Sequence, residues 1–336
     1  MIGMEMDSAQ LTFPALTATL KAAAEATRLR LLMLIAEAEL TVTDLTAILR
    51  QSQPRLSRHL RLLAEAGLVQ RHREGSWAFF RLGEHGGVAD IARTLIARLD
   101  PNDPIIARDR ERLSAIRAAR AAAAQNYFRR HAAEWDRIRQ LHVADAAVEA
   151  AVSVALDGAP IRSLLDLGTG TGRMLELFAG KIERGLGLDL SLDMLALARE
   201  HLDRAGLKHC SVRHGDIYDL PLPRDSFDVV IIHQVLHFLD DSGRAIREAA
   251  RVLRPGGRLL VIDFAPHDLE FLRDEHAHRR LGFASETVTQ WIEAAGLDFM
   301  HQQTLPPGPE GKIAVSLWLG RDPRIALATP AAREVA

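Results

Sequence analysis

From Pro160 onward the chain alternates strand-like with helix-like runs, and this alternation restricts its fold more than any other feature. Apolar runs at Ser163–Leu167, Gly185–Asp189, Cys210–His214, Phe227–His233 and Arg258–Phe264 are spaced by stretches of helical periodicity at 172–180, 191–205, 241–254 and 285–295. Parallel strands need long crossovers, and helices supply them. The pattern therefore predicts an α/β fold with a doubly wound, mostly parallel sheet. Two more strand-like runs, about 297–304 and 312–320, are joined only by the Pro/Gly-rich PPGPEGK. With no helix between them they are expected to pair antiparallel at the sheet edge.

The first hundred residues have a different rhythm. Residues 15–36 read as one Ala/Leu-rich helix, and Thr41–Arg50 as a short second helix capped by Thr41 or Thr43. Ser52 is placed to cap a third, with Pro54 in its first turn and Gly67 as its stop. Leu68–His72 and Trp77–Leu82 then form strands around Glu74-Gly75. Helix, short helix, helix and hairpin is the order of a winged helix-turn-helix. Gly86-Gly87 precedes a further helix at about 88–99, and Asp100-Pro101-Asn102-Asp103-Pro104 marks a boundary. The expected organisation is a winged-helix domain over 10–100, a helical linker over 101–124, an α/β domain over 125–320 that begins with helix through 157, and a disordered tail over 321–336.

Composition narrows the function classes. A chain of 336 residues, 48% hydrophobic and 26% charged, has room for two ordinary globular domains. No apolar run approaches the roughly 20 residues of a membrane helix, and the first ten residues lack a signal-peptide pattern. Cys210 is the only cysteine, which excludes an internal disulfide and any multi-cysteine metal site. A cytoplasmic location is the simplest expectation.

The net charge of −2 hides a strong local imbalance. Between Arg50 and Leu82 seven arginines face two glutamates. Such a segment is either a solvated helix face or a phosphate-binding surface. Leu56, Leu60 and Leu63 form one apolar stripe, which leaves Gln53, Arg55, Ser57, Arg58, His59 and Arg61 pointing outward. Arg and Gln suit base edges, and Ser and His suit the DNA backbone. Arg71, Arg73 and Arg81 would serve the wing.

The runs ATRLRLLMLI, ELTVTDLTAIL and SQPRLSRHLRLLAEAGLVQRHREGSWAFFRL resemble the ArsR/SmtB family of winged-helix repressors over residues 15–99. The resemblance implies a homodimer, built on the first helix and the 88–99 helix, that binds a palindromic operator in double-stranded DNA. Metal-sensing members carry thiols where this chain has Thr41 and Thr43, and hydroxyls cannot replace thiolates for soft metals. A metal-sensing role is therefore not expected, and no metal ligands are assigned.

In the second half, Leu164–Arg173 reads Leu-Leu-Asp-Leu-Gly-Thr-Gly-Thr-Gly-Arg, ending a strand and opening a helix. Its glycines permit a tight turn and close approach of a ligand to backbone amides. Asp189 ends the next strand, 21 residues past Gly168, where a carboxylate can accept ribose hydroxyls. Nicotinamide, flavin and S-adenosylmethionine sites share these features, although Arg173 replaces the third glycine of the dinucleotide pattern. Downstream lie Gly215-Asp216-Ile217, Phe227-Asp228-Val229-Val230 and Leu253-Arg254-Pro255-Gly256-Gly257. The whole series resembles class I S-adenosylmethionine-dependent methyltransferases, with a Rossmann-like sheet, over about 125–320. The resemblance places Asp166, Gly168, Gly170 and Gly172 at the methionine end, Asp189 at the ribose, and Asp216 and Ile217 at the adenine. It puts His233 nearest the methyl group. Ligands in such sheets sit off the carboxyl ends of the strands, which places His233, Gln234, Asp263, Phe264 and His267 around the acceptor, with His233 as candidate base. His237 reads as a capping or core-facing histidine.

The stretch 263–283 is polar and histidine-rich. It is open to three readings: a solvated helix laced with charge pairs, a substrate lid using His276, His278 and Arg279, or a metal site from His267, Glu270, His276 and His278. Arsenite methylation is disfavoured because it relies on several cysteines. Three functions remain: a DNA-binding regulator whose methyltransferase domain methylates a small molecule, a regulator that only senses S-adenosylmethionine or S-adenosylhomocysteine, and a methyltransferase whose front domain serves dimerisation.

Overall fold

The computed structural model describes residues 10–74, 76–83, 86–132, 135, 145–307 and 313–325. The chain separates into two compact units, Met1–Ala122 and Ala123–Ala336.

The front unit contains α1 (Phe13–Ala23), α2 (Ala26–Glu37), β1 (Leu40–Thr41), α3 (Val42–Leu49), α4 (Gln53–Glu65), β2 (Val69–Glu74), β3 (Trp77–Leu82) and α5 (Gly87–Ala97). The single helix expected over 15–36 is two. Glu25 takes an extended backbone (φ −157°) and accepts the Arg28 N–H, so it caps a new helix. α3 starts in a capping box, Thr41 with Asp44. Ser52 stands at the start of α4 without a side-chain cap bond. β3 pairs antiparallel with both β2 and β1. Leu56, Leu60 and Leu63 sink into a core with Leu31, Leu32, Leu45 and Ile48.

α6 runs unbroken over Pro104–His131. Its first half packs on the front unit, burying Ile106 and Leu113. Asp109, fully buried, takes a two-pronged bond from Arg30 (2.6 and 2.7 Å). Arg112 donates to the Ile48 carbonyl (2.8 Å), Arg117 to the Glu37 carbonyl (2.7 Å), and Arg120 pairs with Asp44. The segment read as a linker is thus bonded into the front unit along most of its length. The helix expected through 157 ends at His131, with 136–144 outside the described residues, and α7 (Asp145–Ala155) follows.

The rear unit is built on β4 (Ser163–Leu167), α8 (Arg173–Phe178), β5 (Arg184–Asp189), α9 (Leu192–Arg204), β6 (Cys210–His214), β7 (Phe227–His233), α10 (Ser242–Arg251), β8 (Leu253–Phe264), α11 (Phe271–His276), α12 (Ser285–Ala294), β9 (Asp298–Leu305) and β10 (Val315–Arg321). The seven strands lie in the order β6-β5-β4-β7-β8-β10-β9. β4 pairs parallel with β5 and β7, while β10 pairs antiparallel with β8 and β9, as the helix-free connection required. Along β7, Val229 and Ile231 face a layer holding Leu175, Phe178 and Leu195, and Val230 and Ile232 face one holding Ile246, Ala249 and Ile292. This double burial explains why the strands read as continuous apolar runs. The strand order reverses between β4 and β7, so their carboxyl ends open a crevice suited to ligands.

The tail expected to begin at 321 stays attached further. Asp322 N–H donates to the Gly257 carbonyl (2.8 Å), and Arg324 bonds Asp322 and the Leu253 carbonyl. Residues 326–336, and 308–312 of the β9–β10 connection, lie outside the described residues.

Candidate functional site

The loop after β4 sits in the crevice. Gly168, Gly170 and Gly172 all have positive φ (70°, 52° and 87°). A Cβ on Gly168 would lie 2.4 Å from Val235 Cγ2, so only glycine fits there. Beneath the loop, buried Asp166 accepts the Thr169 hydroxyl proton (2.6 Å). Thr169 itself packs on Gly187 of β5, where a Cβ would be 2.6 Å from Oγ1. Asp166 therefore fastens the loop from below.

Asp189 holds the loop from the side. One of its oxygens accepts Gly170 N–H (2.9 Å) and the other accepts Ser191 N–H (2.8 Å). Burial pushes its carboxyl pKa up, against the pull of these backbone donors. A carboxylate offers about four acceptor positions. Asp189 is only partly covered, so it can still accept from a ligand. Asp216 is exposed one strand away, with its Oδ1 accepting Tyr218 N–H (2.9 Å), and Ile217 beside it is buried. A glycine cradle, a carboxylate for paired hydroxyls and an apolar wall next to a second carboxylate together suit an adenosine-like ligand.

Sequence reading missed Trp135. Its Nε1 would stand 3.5 Å from a Cβ on Gly170, so the indole lies against the loop. Trp135 meets Phe128 edge to face (5.2 Å between ring centres), and Phe128 meets Phe238 (4.8 Å). The available signal was aromatic residues just upstream of the first strand in a chain only 5% aromatic.

Around the ends of β7 and β8 the expected acceptor residues fall unequally. His233 and His267 are partly buried, and Gln234 is buried with its N–H donated to the Ile262 carbonyl (2.7 Å). His237, read as a core or capping residue, is buried and makes a specific bond. Its Nδ1 lies 2.7 Å from Oδ1 of fully buried Asp263. Burial holds the His267 pKa down at about 4, with neighbouring His237 adding to the effect.

The solvated-helix reading of 263–283 fails. Only Phe271–His276 is helical, and Arg273, His278, Arg279 and Arg280 are buried. Arg279 pairs with Asp240 (2.6 Å), and the Arg279 and Arg280 amides both donate to the His237 carbonyl. His276 Nδ1 meets the Tyr127 hydroxyl (2.7 Å). Among the described residues no group of His, Asp and Glu has the arrangement of a metal site.

In the front unit Gln53, Arg55, Ser57, Arg58 and Arg61 of α4 are exposed, as are Arg71 and Arg73 of β2. His59 is a correction. It turns inward, its Nδ1 3.6 Å from Glu25, and burial lowers its pKa. On a helix with Leu56, Leu60 and Leu63 inside, position 59 flanks the apolar stripe and not the outer face. Thr41, at the missing-thiol position, is occupied in the α3 cap.

Family models match both units. One for bacterial regulatory proteins of the arsR family covers residues 25–71, and one for a methyltransferase domain covers 165–261. Residues 25–71 are thus similar to an arsR-type helix-turn-helix, and residues 165–261 to a methyltransferase domain. The chain is 33% identical over 106 residues to the uncharacterized methyltransferase YcgJ of Bacillus subtilis, covering 31% of this chain and 42% of that protein. It is 39% identical over 118 residues to an arsenite methyltransferase of Aquipseudomonas alcaligenes, covering 32% and 33%. The chain thus spans less than half the length of these relatives. The crystal structure of YcgJ superposes with a TM-score of 0.45 at 19% identity, covering 52% of this chain and 97% of that one. No described helix is long and apolar enough to cross a membrane.

Proposed function

We propose that the protein is a DNA-binding regulator of the arsR type whose rear domain binds S-adenosylmethionine and methylates a small molecule in the cytoplasm. The observation that carries the rear-domain reading is Asp189, which grips the glycine loop through Gly170 and keeps acceptor capacity toward the crevice. Asp166, Gly168, Gly170 and Gly172 hold the methionine end, Asp189 the ribose, and Asp216 and Ile217 the adenine. S-adenosylmethionine supplies an electrophilic methyl on a sulfonium, so the chain has to align an acceptor and take its proton. His233 and His267 flank the place where that acceptor sits.

The front-domain reading rests on the exposed set Gln53, Arg55, Ser57, Arg58, Arg61, Arg71 and Arg73, which faces double-stranded DNA. α1 leaves Phe13 (83% exposed), Leu16 and Leu20 uncovered at i, i+3 and i+7. A second copy would cover this stripe, giving a homodimer and a palindromic operator. An arsenite acceptor is not favoured, since Cys210 stands alone and buried.

A sensor that binds the same ligand without turnover would use the same cradle. Measuring operator affinity of the purified protein alone, with S-adenosylmethionine and with S-adenosylhomocysteine separates the readings. A shift with either ligand supports control of DNA binding by the rear domain. Equal affinity for the operator and for random DNA at physiological salt defeats the regulator reading. Absence of S-adenosylmethionine binding by calorimetry defeats the methyltransferase reading.

A further inference from the structure

Among the described residues, two histidines at the carboxyl end of the sheet keep complementary ring nitrogens without a hydrogen-bond partner. His237 gives its Nδ1 to Asp263, whose Oδ1 lies at 2.7 Å, while its backbone N–H donates to the other carboxylate oxygen at 3.3 Å. Asp263 is held in turn by the Phe264 amide at 2.7 Å. A carboxylate can only accept here, so the neutral His237 ring carries its proton on Nδ1 and presents a lone pair at Nε2. His267 has the opposite arrangement. Its Nδ1 accepts Leu269 N–H at 3.3 Å, which leaves the proton on Nε2. That Nε2 is buried and has no hydrogen-bond partner among the described residues. Such a buried donor costs about 1–3 kcal/mol unless something fills it. Both rings border the ring of Phe264, at 4.8 and 6.0 Å between centres.

We propose that His267 and His237 together form a hydroxyl-binding site, and that the methyl acceptor is an alcohol or phenol methylated on oxygen. This rests on the methyl-transfer reading above. A hydroxyl has one proton and two lone pairs. One lone pair accepts His267 Nε2–H, the other attacks, and the proton passes to His237 Nε2. The oxygen–carbon bond forms as the carbon–sulfur bond of S-adenosylmethionine breaks, its electron pair staying on sulfur. A neutral amine would spend its only lone pair on His267. A carboxylate has no proton for His237, and a thiol is weak in both directions. Burial keeps the His267 ring neutral, as a donor through one nitrogen requires. The other groups facing this pair are already engaged. Asp240 holds Arg279, Glu270 holds Arg273 at 3.2 Å, and His278 stacks on Phe264. Asp263 acts as a positioning residue for His237.

The test uses the full chain. Nitrogen-15 histidine spectra, assigned with the His237→Gln and His267→Asn variants, should show His237 protonated on Nδ1 and His267 on Nε2. The reverse tautomer at either ring overturns the site. Turnover is then compared across 2-naphthol, 2-naphthylamine, 2-naphthalenethiol and 2-naphthoate, reading S-adenosylhomocysteine release and, separately, probe binding by quenching of tryptophan fluorescence. At least a ten-fold preference for 2-naphthol in kcat/KM supports the proposal, and equal or better use of the amine or thiol overturns it. Asp263→Asn should lower kcat about 100-fold with KM nearly unchanged. His237→Gln should do the same, and a near-ultraviolet circular dichroism spectrum like that of the wild type guards against a folding defect in either variant. Unchanged kcat in both overturns the role of His237. Loss of S-adenosylmethionine binding in wild-type protein is a different failure, that of the methyltransferase reading itself.

Discussion

Two segments of this chain look alike as text and end in opposite places. Gln53–Arg73 and His267–Arg280 are both rich in arginine and histidine. In the first, the arginines of α4 and β2 reach solvent. In the second, Arg273, Arg279, Arg280 and His278 are buried. The difference lies in the apolar residues between the charges. Leu56, Leu60 and Leu63 repeat at helical spacing, so one face sinks and the cations are carried out on the other. The second segment has no such stripe. Phe264, Leu272, Leu281 and Phe283 are each buried and pull the backbone inward between them. The charges that go with them are met inside: Arg279 by Asp240, Arg273 by Glu270 and the Arg279 carbonyl, and Arg280 by the Phe283 ring. Charge content thus says little about exposure, whereas apolar spacing says much.

This contrast can be broken or sharpened by experiment. The largest effect should come from Arg279→Ala, which removes the buried guanidinium that meets Asp240 at 2.6 Å and should cost about 3 kcal/mol in chemical denaturation. Arg61→Ala, whose 3.9 Å partner Glu65 is itself exposed, should cost less than about 0.5 kcal/mol in the same measurement. Equal costs would erase the distinction between the segments. Asp189→Ala should weaken S-adenosylmethionine binding by about 3 kcal/mol or more, a hundredfold by calorimetry, since two bonds to a charged acceptor are lost. It should leave unliganded DNA binding intact. The Arg55→Ala/Arg58→Ala pair should do the reverse, weakening DNA binding and flattening the plot of log affinity against log salt by about two, with methyl-donor affinity unchanged. The last effect concerns acid. His267 has a folded pKa of about 4 against an ordinary 6.5. The unfolded chain therefore takes up the proton first, and stability present above pH 6.5 is lost as pH falls toward 4. Thermal melts across that window should slope less in His267→Asn than in wild type.

The rear fold was legible because its strands are buried on both faces and so read as unbroken apolar runs, and because the missing helix before 312–320 forced an antiparallel edge. The glycine cradle and Asp189 were legible for a related reason: turns with positive φ, and a side chain that accepts two backbone amides at once, admit few residue types. What escaped were relations between distant parts of the chain. The inward turn of His59 depends on Glu25, which itself breaks the helix expected over 15–36. The placing of His237 depends on Asp263, at the end of another strand. Trp135 follows no spacing rule at all; only the folded loop puts it against Gly170.

The attachment of α6 has a consequence for how these two domains can be separated. The composition break at Asp100–Pro104 invites a cut there. Yet Arg30 finds its carboxylate at Asp109, Asp44 its guanidinium at Arg120, and the end of α2 its donor at Arg117. A fragment ending at Asp100 would expose the leucines that pack under α6 and strand two charges at the edge of its core. As a portable unit for recombination or for structural work, the front module is one helix longer than its sequence pattern suggests, and its natural border falls beyond Arg120.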